Sequence, residues 1–100
     1  MLKTGEVELG KWPLKYFPPQ GGKYSGTMIV TNYRLLFFKR THERRKMNNI
    51  ELDLNKEEIS SVSVKHHLTK KSVIISVKGK SHSFSKLFFN PRNFIKLIKI

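Results

Sequence analysis

Apolar and polar positions alternate with a period of two along most of the chain, the pattern of half-buried β-strands. Val7 and Leu9, then Leu14, Tyr16 and Phe17, mark a first strand within residues 4–17, with Pro13 as a bend or edge marker. Pro18-Pro19-Gln20-Gly21-Gly22 is the strongest loop signal in the chain. Tyr24, Gly26, Met28 and Val30 then share one face of a strand over residues 23–31. Asn32-Tyr33 separates two apolar stretches, and the tolerance of asparagine for left-handed backbone angles predicts a tight turn there. The next run, Arg34-Leu35-Leu36-Phe37-Phe38, is apolar on both faces and reads as a central strand.

Residues 39–49 form a polar, basic loop, after which Ile50, Leu52 and Leu54 alternate with Glu51 and Asp53 as a further strand. Asn55-Lys56-Glu57-Glu58 fits one helical turn with Asn55 as its cap. Val62 and Val64, then Val73, Ile75 and Val77, then the surroundings of Phe84 predict three more strands, the last two joined by a turn at Gly79. Only the end of the chain changes period. Asn90 caps a helix with Pro91 in its first turn, and Phe94, Leu97 and Ile98 recur at helical spacing. The prediction is a single mainly β domain spanning residues 1–100, with seven strands in meander order and one C-terminal helix. Seven short strands cannot hide their edges and apolar faces as a flat sheet, so a curled, barrel-like sheet with the helix plugging one open end is expected.

Composition narrows the function classes. The chain has 100 residues with 38% hydrophobic and 11% aromatic content, too much core-forming material for a disordered basic tail. The longest apolar run is Leu35-Leu36-Phe37-Phe38, so no transmembrane helix is expected. The first residues lack the apolar stretch of a secretory signal, which predicts a cytoplasmic protein. With no cysteine, disulfides, thiolate metal sites and cysteine nucleophiles are excluded together. Lys and Arg number 20 against 7 Asp and Glu, a net charge of +13. The charge is uneven: residues 1–58 carry all seven acids with 11 bases, whereas residues 59–100 carry nine bases and no acid. Such a surplus points to a polyanionic partner, either an anionic membrane surface or nucleic acid.

The stretch Gly26-Thr27-Met28-Ile29-Val30-Thr31-Asn32-Tyr33-Arg34-Leu35-Leu36-Phe37 resembles the signature of the GRAM domain, a member of the pleckstrin-homology-like superfamily, with Met28 where leucine is usual. Gly5-Glu6 with Tyr16-Phe17-Pro18, and Ile50-Glu51-Leu52 with Ile59-Ser60-Ser61-Val62, are similar to further parts of that family, most closely its compact stand-alone bacterial members. The resemblance implies a PH/GRAM-like, seven-stranded, two-sheet, partly open barrel capped by the C-terminal helix. It also implies a non-enzymatic binding module that needs no cofactor. Most of the signature reads as structural: Gly26 suits a close backbone approach or a bulge, and Arg34 pairing with a carboxylate or carbonyl groups. The motif identifies a fold rather than a ligand.

Catalytic chemistry finds little support. His66 and His67 are neighbours, and on a strand they point to opposite faces, so they cannot share a metal there. Glu57-Glu58 fits the first turn of a short helix better than an acid/base pair. Anion binding is better supported. In a meander, alternate connections fall at one end, which groups the loops around 18–26, 39–49 and 65–72. These carry Lys23, Lys39, Arg40, Arg44, Arg45, Lys46, Lys65, Lys70 and Lys71. Superfamily members grip lipid headgroups at such a loop end with help from the sixth connection, which here supplies Lys78 and Lys80. These 11 residues are the candidate anion- or lipid-binding set, and a phospholipid headgroup at the inner face of the membrane is the expected partner. Trp12, Tyr16 and Phe17 are candidates for interfacial insertion, although core packing is the favoured fate. The alternatives are non-specific nucleic-acid binding, without an RNA-stacking or helix-turn-helix pattern to support it, and a protein partner added along the Ile50–Leu54 strand edge.

Overall fold

A computed structural model describes residues 4–40, 50–67, 70–87 and 90–99. Seven strands form in the predicted order: β1 (Glu8–Phe17), β2 (Tyr24–Thr31), β3 (Arg34–Lys39), β4 (Ile50–Asn55), β5 (Ile59–His67), β6 (Lys70–Val77) and β7 (Lys80–Leu87). A single 3-10 turn, Lys56–Glu58, joins β4 to β5, and the helix α1 spans Pro91–Ile98. Asn90 caps α1 as its side-chain oxygen accepts from the Arg92 N–H, and Pro91 occupies the first turn.

The strands make one antiparallel sheet in the order β4-β3-β2-β1-β7-β6-β5, in place of the two sheets expected. The joining element is β1. It pairs with β2 from Glu8 to Tyr16, but with β7 only through Lys15–Ser85, Tyr16–Phe84 and Phe17–Ser83. The β7 ladder stops two residues short of Pro13, whose nitrogen has no hydrogen to donate. The N-terminal half of β1 therefore parts from β7. The sheet does not close, because β4 and β5 stand at opposite ends of the order.

Alternation decides what is buried. Tyr16, Met28, Val30, Leu35, Phe37, Val73, Ile75 and Phe84 face the core, and α1 inserts Phe94 and Ile98 into it. The Tyr16 ring stacks on Phe84 with centroids 5.0 Å apart and tilts against Phe37 at 5.3 Å. Phe94 meets Phe84 edge-on at 6.2 Å and Trp12 at 5.2 Å. Each fully buried phenylalanine contributes about 1.5–3 kcal/mol of apolar burial. Leu36 is buried as well but lies outside this cluster, on the other face of β3. The run that reads as a central strand is thus next to the edge, between β2 and β4.

Two local expectations are corrected. Val7 (57% exposed) and Leu9 lie on the surface: Leu9 falls on the opposite phase of the strand alternation from the inward-facing Leu14 and Tyr16, and Val7 precedes β1, beyond the register shift between Glu8 and Gly10. The β2–β3 turn does not use a left-handed Asn32; Lys78 is the only non-glycine residue with positive φ among those described. Side chains make that turn instead. Thr31 Oγ1 accepts from the backbone N–H groups of Tyr33 and Arg34. Asn32 reaches back to the N-terminal segment, accepting from Val7 N–H at 2.8 Å and donating to the Gly5 carbonyl at 3.0 Å.

Candidate functional site

Arg34 is structural, as its place in the signature suggests. Its Nε and Nη2 donate to the Glu6 carboxylate at 2.7 and 3.0 Å, and its Nη1 donates to Asp53 at 2.8 Å. Thr31 Oγ1 donates to the same Glu6 carboxylate at 2.7 Å. The Thr-Asn-x-Arg portion of the motif thus fastens the segment before β1 to the β2–β3 turn and to β4. Gly26 is equally structural: a Cβ there would press into the Phe38 carbonyl oxygen of the neighbouring strand. It is a close approach rather than a bulge, since Gly26 stays in register with both Leu14 and Lys39.

Where β1 parts from β7, the sheet opens a cleft of about 430 Å³. Pro13 and Leu14 form one wall, with Ser25 and Gly26 of β2 beside them. Lys15, Arg40, Lys70 and Lys86 bring four cations to this cleft, and no acidic side chain lines it among the described residues. Each arrives by a different route. Lys15 is the exposed residue between the inward-facing Leu14 and Tyr16. Arg40 is held at the end of β3 because its backbone N–H donates to the Ser25 carbonyl at 2.8 Å, carrying the β2–β3 ladder one residue further. Lys70 opens β6 opposite Leu87, and Lys86 lies near the end of β7 opposite Lys71. Ser85 is 2% exposed and also lines the cleft. Its hydroxyl has no hydrogen-bond partner among the described residues.

Of the residues named from sequence, Arg40 and Lys70 meet in this cleft. Arg44, Arg45 and Lys46 lie outside the described residues. Lys23 is exposed before β2, Lys65 is exposed on β5, and Lys71 is half-buried on β6. The Lys39 ammonium sits 5.3 Å from the centre of the Tyr24 ring, a cation–π contact. Lys78 pairs with Glu58 at 3.3 Å. Lys80 borders a second hollow with Pro19, Gln20, Gly79 and Ser81, where the β6–β7 turn meets the β1–β2 loop. Strand direction explains that meeting: β7 runs antiparallel to β1, so its start lies beside the end of β1. The 65–72 connection lies at the other end of β6 and β7, whereas residues 25–26 and 39–40 of the other two grouped segments lie side by side. Lys70 is the residue through which the third reaches the cleft. Lys15, Lys86, Ser25 and Ser85 carry no local signal in the sequence, since only the pairing of β1 with β2 and β7 brings them together.

Two of the three candidates for interfacial insertion are committed to packing, while Phe17 is half-buried at the end of β1, outside the core cluster. Tyr16 is buried, and Trp12 is half-buried against α1. Tyr16 Oη lies 2.6 Å from His82 Nδ1. Burial, with Lys80 nearby, holds His82 below its ordinary value, so the ring is neutral at neutral pH and its Nδ1 can accept from the phenol. Burial, with Glu51 and Tyr24 nearby, pushes the Tyr16 phenol up to about 12. No group of three or more His, Asp or Glu side chains able to hold a metal occurs among the described residues. No described helix is long and apolar enough to cross a membrane.

Comparison with known proteins agrees with this architecture. In fold, the chain is similar to the C-terminal domain of an unknown protein from Leishmania infantum, with a TM-score of 0.70 over 96% of this chain and 84% of that one. The two share 11% sequence identity, so the likeness is one of fold alone. No curated protein sequence matches. The family model for the bacterial PH domain matches residues 14–99, from the inward-facing Leu14 of β1 to the cap of α1. One open antiparallel sheet with a C-terminal helix seated in its core, together with that match, places this chain in the bacterial PH-domain family.

Proposed function

We propose that this domain is a non-enzymatic module that binds peripherally to an anionic membrane surface, with the basic cleft facing the headgroups. PH-like domains commonly mediate lipid or protein binding, and this reading selects the lipid. The observation that carries it is the convergence of Lys15, Arg40, Lys70 and Lys86 on a cleft with no acid among its described lining residues. Within the superfamily, the Thr31-Asn32-x-Arg34 network supports a GRAM-like placing. A cation near an anionic surface contributes roughly 1 kcal/mol. Four together correspond to a dissociation constant on the order of 1 mM, which describes weak, reversible adsorption. Such adsorption belongs to a cytoplasmic protein that visits the inner face of the membrane.

Co-sedimentation with phosphatidylglycerol and phosphatidylcholine vesicles across a salt series tests the reading. Binding is expected on the anionic vesicles at low salt, falling as salt rises because the charges are exposed. Absence of anionic-vesicle binding at low salt sinks the proposal. Retention of duplex DNA at physiological salt without vesicle binding replaces it with the nucleic-acid alternative. A second reading rests on β4, which among the described residues pairs only with β3 and leaves Ile50 exposed at the sheet edge. That edge suits addition of a partner strand.

A further inference from the structure

We propose that the cleft between β1 and β7 is a discrete pocket for a phosphate monoester, with the Ser85 hydroxyl donating to the phosphate and Lys15, Arg40, Lys70 and Lys86 balancing its charge. The inference rests on the anionic-ligand reading but adds a stoichiometric site to what is otherwise diffuse adsorption.

The hydroxyl carries the argument. Ser85 has lost its water by burial, yet its Oγ has no hydrogen-bond partner among the described residues. A buried polar group in that state is destabilising, and native proteins keep few of them. Ser85 lines the same cleft as four basic residues, so its unpaired donor lies just beneath the surface to which an anion would be drawn. An acceptor from outside the chain completes both sets at once.

Charge and size choose the class. A carboxylate or a phosphodiester brings a single negative charge to four cations. A phosphate monoester brings about −1.5 to −2 at neutral pH and three strong acceptor oxygens. The cleft, at about 430 Å³, falls within the range of small-molecule pockets and is too large for a bare phosphate to fill. Pro13 and Leu14 supply an apolar wall for a short carbon skeleton. A soluble organic phosphate and the headgroup of a monoester lipid share this chemistry.

Calorimetric titration with glycerol 3-phosphate, with dimethyl phosphate as the diester control, tests the pocket in the wild type and in Ser85→Ala. Saturable one-site binding of the monoester, absent for the diester and roughly tenfold weaker in Ser85→Ala, is the expected result. The variant must also melt no lower than the wild type, because it removes an unsatisfied group. Non-saturating heats, equal binding of the diester, unchanged affinity in Ser85→Ala, or a marked drop in its melting temperature each overturn the proposal. The last would mean that Ser85 has an internal structural partner. Lys15→Gln with Lys86→Gln, both at exposed positions, is a second variant expected to weaken binding without unfolding; unchanged binding there also overturns the assignment. Retention on phosphatidic acid vesicles that falls in Ser85→Ala assigns a lipid source, and monoester binding without such retention assigns a soluble one. Phosphatidylglycerol vesicles report on the adsorption reading separately. Their binding reflects total charge and should not change in Ser85→Ala, so either idea can fail while the other stands.

Discussion

Removing the Glu6 carboxylate should loosen the whole domain, although Glu6 lies before the first strand. The Glu6 side chain is 0% exposed, and its two oxygens accept from Arg34 Nε and Nη2 and from Thr31 Oγ1. In Glu6→Ala, the buried guanidinium keeps its bond to Asp53, whose side chain is 46% exposed. Breaking a buried ion pair by removing one partner costs about 3–5 kcal/mol. The surviving Asp53 contact puts Glu6→Ala near the lower end, at about 3 kcal/mol, against a total stability of about 5–15 kcal/mol for a domain of this size. Asp53→Ala removes a half-exposed partner and should cost no more than about 1 kcal/mol. Replacing both members of the buried pair, as in Glu6→Leu with Arg34→Met, should recover much of the loss because no charge is left stranded. Urea denaturation followed by the fluorescence of Trp12, the single tryptophan, provides the assay, since that ring packs on Phe94. A loss below about 1 kcal/mol for Glu6→Ala, or equal losses for Glu6→Ala and Asp53→Ala, would refute the view that the signature arginine works through a buried carboxylate.

Two further outcomes follow from the core. Tyr16 titrates near 12 when folded and near 10 when unfolded, so its contribution to stability is complete below pH 10 and fades as pH rises towards 12. Tyr16→Phe should flatten that alkaline slope in stability measured against pH; an unchanged slope would assign it to another group. For His82 the sign is opposite. Its folded value is depressed, so its contribution is present above the ordinary histidine value of 6.5 and lost as pH falls through the folded one, which an NMR titration of its ring would show directly. Gly26→Ala forces a Cβ into the Phe38 carbonyl oxygen and against the Phe37 ring, so it should destabilise by at least the 1–3 kcal/mol or so of core overpacking, read as a fall in melting temperature. Gly21→Ala meets no atom within 4 Å and should lose only what its φ of +105° imposes.

The seven strands and the helix were legible because burial in a thin sheet imposes a period of two, and burial beside a helix one near 3.6. Tyr24, Gly26, Met28 and Val30 were placed on one face by that rule, and the Asn90-Pro91 start by its capping chemistry. Leu9 turns outward because it falls on the opposite parity from the buried Leu14 and Tyr16, a consequence of the same period of two, whereas the register shift between Glu8 and Gly10 has no local signal. The role of Asn32 is likewise not legible locally, since its partners Gly5 and Val7 are more than twenty residues away.

Residue order by itself determined the elements, the basic charge and the membership of a superfamily, since these depend on local periodicity, composition and a contiguous motif. The position of the cationic cleft was decided by the tertiary structure. Arg40 and Lys70 were visible as loop or strand-end bases, but Lys15, Lys86 and Ser85 look like ordinary alternate positions of strands that only long-range pairing brings together. The cleft exists because the β1–β7 ladder ends at Lys15, where one strand must serve two diverging halves of the same sheet. Antiparallel pairing between residues some seventy apart set that point.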